Sequence, residues 1–67
     1  MELKDRIRLM RLDAGFSQQD LSQLAGLTVG SISKLERGIT TNPDWVTMVK
    51  IAKALETTTA AFEEEAP

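Results

Sequence analysis

The stretch SQQDLSQLAGLTVGSISKLERG, residues 17–38, leaves a chain very few ways to fold. It holds two amphipathic helical patterns with only Gly26, Leu27 and Thr28 at their junction. Leu21, Leu24 and Ala25 form the apolar face of the first, and Ile32 and Leu35 that of the second. Ser17, followed three residues later by Asp20, is a variant capping box that opens the first helix. Gly26 ends it, Thr28 caps the second, and Gly38 closes that one after Arg37. The junction needs its glycine, because a left-handed backbone there would strain any side chain. Ser22 is small enough for the second helix to cross closely. Two short helices joined in this way make a helix-turn-helix pair.

The flanks extend the same pattern. Residues 2–14 read as a helix whose apolar face is Leu3, Ile7, Met10 and Ala14, with Gly15 as its stop. After the loop ITTNP, Asn42 as N-cap and Pro43 at the first helical position predict a fresh helix running to about Leu55. Its inward residues are Trp45, Met48, Ile51, Ala52 and Leu55, with Trp45 at the core or its edge. Thr58 caps a final short helix that carries Phe62 into the core, or into a dimer seam. No strand-like alternation, repeat or low-complexity tract is present. The expectation is an all-α, compact five-helix domain over residues 1–62, with 63–67 as an acidic tail or linker start.

Composition narrows the function. With 67 residues and no Cys or His, the chain must build its core from helix packing, without disulfide or metal. The same absence removes the usual catalytic and metal-ligating groups, and no Gly-rich phosphate loop is present, so the sequence reads as a non-enzyme with no cofactor. No apolar run approaches a membrane span, and no secretory signal is visible. The formal charge is −2, but it is unevenly spread. Residues 1–55 carry eight basic and six acidic groups, a net of +2, and the other four acids lie at Glu56 and Glu63 to Glu65. The body is therefore mildly basic, and the acidity belongs to the last segment.

On a helical wheel at about 100° per residue, Val29, Gly30, Ser33, Lys34 and Arg37 fall on one arc, opposite Ile32 and Leu35. Such an arc, on the second helix of a helix-turn-helix, is what enters a DNA major groove. The residues here resemble a particular family. Gly15, Phe16, Ser17, Gln18, Leu21, Ser22, Gly26, Ile32, Ser33, Glu36 and Gly38 match the pattern of the xenobiotic-response-element (XRE) helix-turn-helix family, which includes lambdoid phage repressors and Cro proteins. RIRLMR resembles that family's first helix and NPDWVTMVKIAKAL its fourth, so the likeness spans roughly residues 3–62.

The resemblance implies a lambda-repressor-like fold and a dimeric transcriptional regulator, most naturally a repressor, of bacterial or phage origin and acting in the cytoplasm on double-stranded DNA. It implies that Gln18 contacts a phosphate, that Val29, Gly30, Ser33 and Lys34 occupy base-reading positions, and that Thr28, the cap just before them, also belongs to the DNA-binding surface. Arg37, Thr40, Thr41 and Asn42 would lie along the DNA backbone. Arg11 and Glu36 match a structural ion pair. The sequence also departs from the pattern. Relatives often carry Gln or Arg where Val29 and Gly30 stand, and in some that side chain braces the glutamine at the position of Gln18. The loop lacks the basic residues several relatives use, and Asp44 adds an acid nearby, so weaker binding is expected.

Some residues have two readings. Val29 is either a thymine-methyl contact or a staple partly buried against the preceding helix. Lys34 is a base or phosphate donor, or a free surface lysine. Gly30 allows close approach to the groove wall, or is a neutral first-turn position. Leu9 and Leu12 lie off the buried face of their helix, either as scattered exposed leucines or as a contact surface for a protein partner. A second function class follows from that pair and the acidic balance: a protein-interaction module, binding a toxin or another regulator, on the same fold.

Overall fold

A computed structural model describes residues 1–62 of the chain; the expected acidic tail, residues 63–67, lies outside the described residues. Among the described residues four α-helices are present: α1 (Leu3–Asp13), α2 (Gln18–Ala25), α3 (Val29–Glu36) and α4 (Trp45–Ala54). A 3-10 turn, Thr59–Phe62, stands where the sequence predicts a fifth short helix. Among the described residues there is no strand, and no helix is long and apolar enough to cross a membrane.

The helices meet through very few side chains. Ile7, Leu21, Ile32 and Ile51 are fully buried, one from each helix. Burial of such a side chain contributes about 1.5–3 kcal/mol. Leu35, Ala52 and Phe62 complete the buried cluster, with Leu3, Met10, Met48 and Leu55 packed partly against it. Phe62 thus belongs to the core of a single chain, and Arg6 ties its segment to α1 through an Nη1 hydrogen bond of 3.2 Å to the carbonyl of Ala61.

Capping explains the boundaries. The capping box at α2 is complete: Asp20 N–H donates to Ser17 Oγ at 3.0 Å, and Ser17 N–H donates to Asp20 Oδ2 at 2.9 Å. Every α-helix ends on the same bond pattern, in which an N–H two residues past the last turn reaches back to a carbonyl. For α4 the bond is Thr57 N–H to the carbonyl of Ala52, at 2.8 Å. That ending needs one left-handed residue. Glycine supplies it in the first three helices, but α4 uses Glu56, with φ +57°.

Four expectations are corrected. Asp44, not Asn42, caps α4: Asp44 Oδ1 accepts the N–H of Thr47 at 2.9 Å, and Pro43 precedes the cap instead of entering the helix. A carboxylate two residues further on provides an equally good cap, so the helix starts at Trp45. Trp45 is 67% exposed. It lies on the same side of α4 as Ala52, two turns earlier, past the edge of the buried cluster. Leu24 is 58% exposed. The buried arc of α2 runs through Leu21, Ala25 and Ser22, and Leu24 falls on its other flank. Ala14 is exposed at the C-cap of α1, beyond the apolar face it was expected to continue.

Candidate nucleic-acid interface

The turn between α2 and α3 is built as its sequence demands. Gly26 sits at φ 68°, ψ 32°, and Leu27 N–H returns to the carbonyl of Ser22 at 2.9 Å. Thr28 then caps α3: its Oγ1 accepts the N–H of Ser31 at 3.1 Å and lies 2.9 Å from the Ser31 hydroxyl. The Thr28 side chain is therefore committed to starting α3. Buried Ile32 and Leu35 fix the rotation of this helix. Val29, Gly30, Lys34 and Arg37 face outward, and Ser33 is half-buried beside them. Val29 is 48% exposed, so about half of it is open to a ligand.

Lys34 and Arg37 sit one turn apart but serve different hollows. Lys34, Thr40, Asn42 and Asp44 line one, and Arg37, Gly38, Thr40 and Thr41 line its neighbour. Thr40 is shared, and its N–H is held to the carbonyl of Lys34 at 3.2 Å. The loop residues singled out in the sequence are thus gathered at the C-terminal end of α3. Arg37 caps that end, its Nε 3.4 Å from the carbonyl of Ser33. Asp44 is an acid in the Lys34 hollow, but its carboxylate is engaged. Hydrogen bonding to Thr47, from side chain and backbone, holds its carboxyl below the usual range.

Behind this surface lies a buried polar cluster. Arg11 Nε donates to Glu36 Oε2 at 2.7 Å, and Arg11 Nη2 to Glu36 Oε1 at 2.9 Å, a bidentate pair joining α1 to the end of α3. The two side chains are only 10% and 3% exposed. Arg11 Nη1 also donates to the carbonyl of Phe16 at 2.8 Å, fixing the entry to α2. Its hydrogen bonds to Glu36, opposed by burial, hold the guanidinium more firmly protonated than usual. Among the described residues, no buried side-chain polar atom is without a partner.

Gln18 joins this cluster. Its Nε2 donates to Glu36 Oε1 at 3.2 Å. Val29, an alkyl side chain, cannot brace Gln18 as the glutamine of some relatives does, and here the glutamate of the ion pair does so. No local spacing reveals that contact, since the two residues lie on different helices. Glu36 therefore has two tasks, closing α1 onto α3 and orienting the amide at the start of α2.

The profile of the helix-turn-helix family matches residues 7–62, from the buried Ile7 to the buried Phe62. This chain belongs to the XRE-type helix-turn-helix family. The family is one of DNA-binding regulators, not normally enzymatic, and it implies DNA as a partner. No curated protein matches the chain. Its helix-turn-helix comprises α2 and α3.

Proposed function

We propose that residues 1–62 form a sequence-specific DNA-binding unit that acts as a symmetric dimer, each copy placing α3 in the major groove of one half of a palindromic operator. One observation carries this reading: Val29, Gly30, Ser33 and Lys34 share the outward face of α3, while Arg37 and the loop with Thr40, Thr41 and Asn42 lie at its C-terminal end. Val29 makes apolar contact with a thymine methyl, Gly30 lets the helix approach closely, and Ser33 and Lys34 supply the polar contacts to base edges. Gln18, held by Glu36, donates its second amide hydrogen to a phosphate. Arg37, Thr40, Thr41 and Asn42 track the backbone and carry little sequence information. Occupancy of the operator represses transcription, and bacterial or phage DNA is the setting.

Binding-site selection from a random duplex pool tests this directly. The selected sequences should be palindromic, with half-sites about one helical turn apart. Selection of an unpaired half-site would remove the dimer, and no enrichment at low salt would remove DNA recognition altogether.

A second reading rests on Leu9 and Leu12, both exposed on the outer side of α1. Two leucines there support a protein partner, either beside DNA binding or in its place. A partner bound through them loses affinity on Leu9→Glu/Leu12→Glu, while DNA binding is unchanged.

A further inference from the structure

Lys4 lies in the first turn of α1, far along the chain from the reading helix. The fold lays its side chain across the end of α3. A Cβ added at Gly38 would come within 3.0 Å of Lys4 Cδ and 3.7 Å of its Nζ. Gly38 thus leaves space for the lysine stem, as well as supplying the φ of +77° that closes α3. Glu2, Lys4, Arg37, Gly38, Thr40 and Thr41 line one open cleft of ≈ 410 Å³. Among the described residues it gathers two cations, two hydroxyls and a single carboxylate. Three of these residues, Arg37, Thr40 and Thr41, are the backbone-tracking residues named above.

The Lys4 ammonium is available. Among the described residues its one ionic partner, Glu2 Oε2, stands 3.6 Å away, and the two side chains are 40% and 72% exposed. An ion pair so open to water contributes little and is readily exchanged. A DNA phosphodiester is a stronger competitor, because neutralising it releases condensed counterions.

We propose that Lys4 is a DNA-backbone anchor: with Arg37, Thr40 and Thr41 it binds a phosphodiester at the C-terminal end of α3, and Glu2 competes for the same ammonium. The proposal rests on the DNA-binding reading above. It adds α1 to the contact surface and offsets part of the loop's lack of basic residues. The rival role for Lys4 is local, a cation placed near the negative, carbonyl end of α3. That role would register in stability and not in the salt dependence of binding.

The test uses the full 67-residue chain and its selected operator, with affinity followed between about 50 and 200 mM salt. Lys4→Gln should weaken binding about three- to tenfold at low salt and flatten the slope of log K against log salt by about 0.9. The loss should be the same on a scrambled duplex, as for a contact that reads no base. Lys4→Arg should restore the slope. Glu2→Gln should tighten binding about two- to fivefold, as loss of a screened competitor. Urea midpoints should stay at the wild-type value throughout. Unchanged affinity and slope for Lys4→Gln, with wild type still bound, overturn the anchor and leave the DNA reading standing. A shifted urea midpoint with an unchanged slope overturns it in favour of the local role. If wild type retards no duplex, the DNA reading itself fails and the anchor with it.

Discussion

Glu36 offers the most searching test of how this domain holds its reading helix. Glu36→Ala removes the acceptor of three hydrogen bonds, two from Arg11 and one from Gln18. It leaves a guanidinium, 10% exposed, with the Phe16 carbonyl as its one remaining acceptor. Breaking one side of a buried pair costs about 3–5 kcal/mol, because the surviving charge is stranded. A chain of this length has a total stability of about 3–10 kcal/mol. A single truncation therefore removes a third or more of it, and lowers Tm by about 12 °C or more. Arg11→Met alone should cost a similar amount. The double variant should cost no more than either single one, since no charge is then stranded. The expected coupling in the cycle is about 3 kcal/mol. Urea unfolding followed by far-UV circular dichroism is the suitable assay. Trp45 fluorescence would be a poor reporter, because that side chain is already mostly exposed in the fold. Single losses below about 1 kcal/mol that simply add would refute the reasoning, since that is the behaviour of a surface pair screened by water.

Other outcomes follow from local geometry. Glu56→Gly should stabilise the domain by about 1 kcal/mol, raising Tm by several degrees, because it relieves a left-handed side chain at the end of α4. An unchanged Tm would mean that Glu56 is not strained. Gly30→Ala meets only Thr28 Oγ1 at 3.9 Å, so it should stabilise α3 by about 0.5 kcal/mol. The same change should weaken operator binding if the helix sits close to the groove, and equal affinity would dismiss the close approach. Acid should also loosen the fold. Hydrogen bonds from Ser17 depress the carboxyl of Asp20, and those from Thr47 depress that of Asp44. A depressed pKa contributes stability that is complete above the unfolded value, about 3.9, and is lost as pH falls through the lower folded value. Urea midpoints should stay level from neutral pH to about 5 and fall below about 4, and Asp20→Asn should lessen that fall.

The helix-turn-helix was legible because its punctuation is local. Ser17 and Asp20, Gly26, Thr28 and Gly38 each fix a boundary through bonds to residues a few positions away, and all four act as their spacing predicts. The apolar faces were legible only near the centre of the domain. Ile7, Leu21, Ile32, Leu35 and Ile51 are buried, but the same periodicity also pointed inward at Ala14, Leu24 and Trp45. Helical spacing gives a direction and not a distance. In so small a domain the core ends before the helices do, and a side chain facing the right way near an end still reaches water. At α4 two capping sequences overlap, Asn42 with Pro43 and Asp44 with Thr47, and spacing alone does not choose between them.

The site divides in the same way. The outward arc of α3 follows from the wheel once Ile32 and Leu35 are known to be buried. The bond from Gln18 to Glu36 and the path of Lys4 over Gly38 do not, because each joins separate helices. Those contacts depend on how α1 crosses the end of α3; the family pattern points to the Arg11–Glu36 pair that secures the crossing, but not to the side chains that the crossing then brings together.

The central claim is that α3 docks on DNA through its outward arc, and its few polar groups make the test sharp. Affinity of the Lys34→Ala/Arg37→Ala variant for the selected operator is the most direct measurement. Loss of a base contact and a backbone contact together should weaken binding about 30-fold or more at moderate salt, with an unchanged circular dichroism spectrum. Wild-type affinity in that variant would contradict the account.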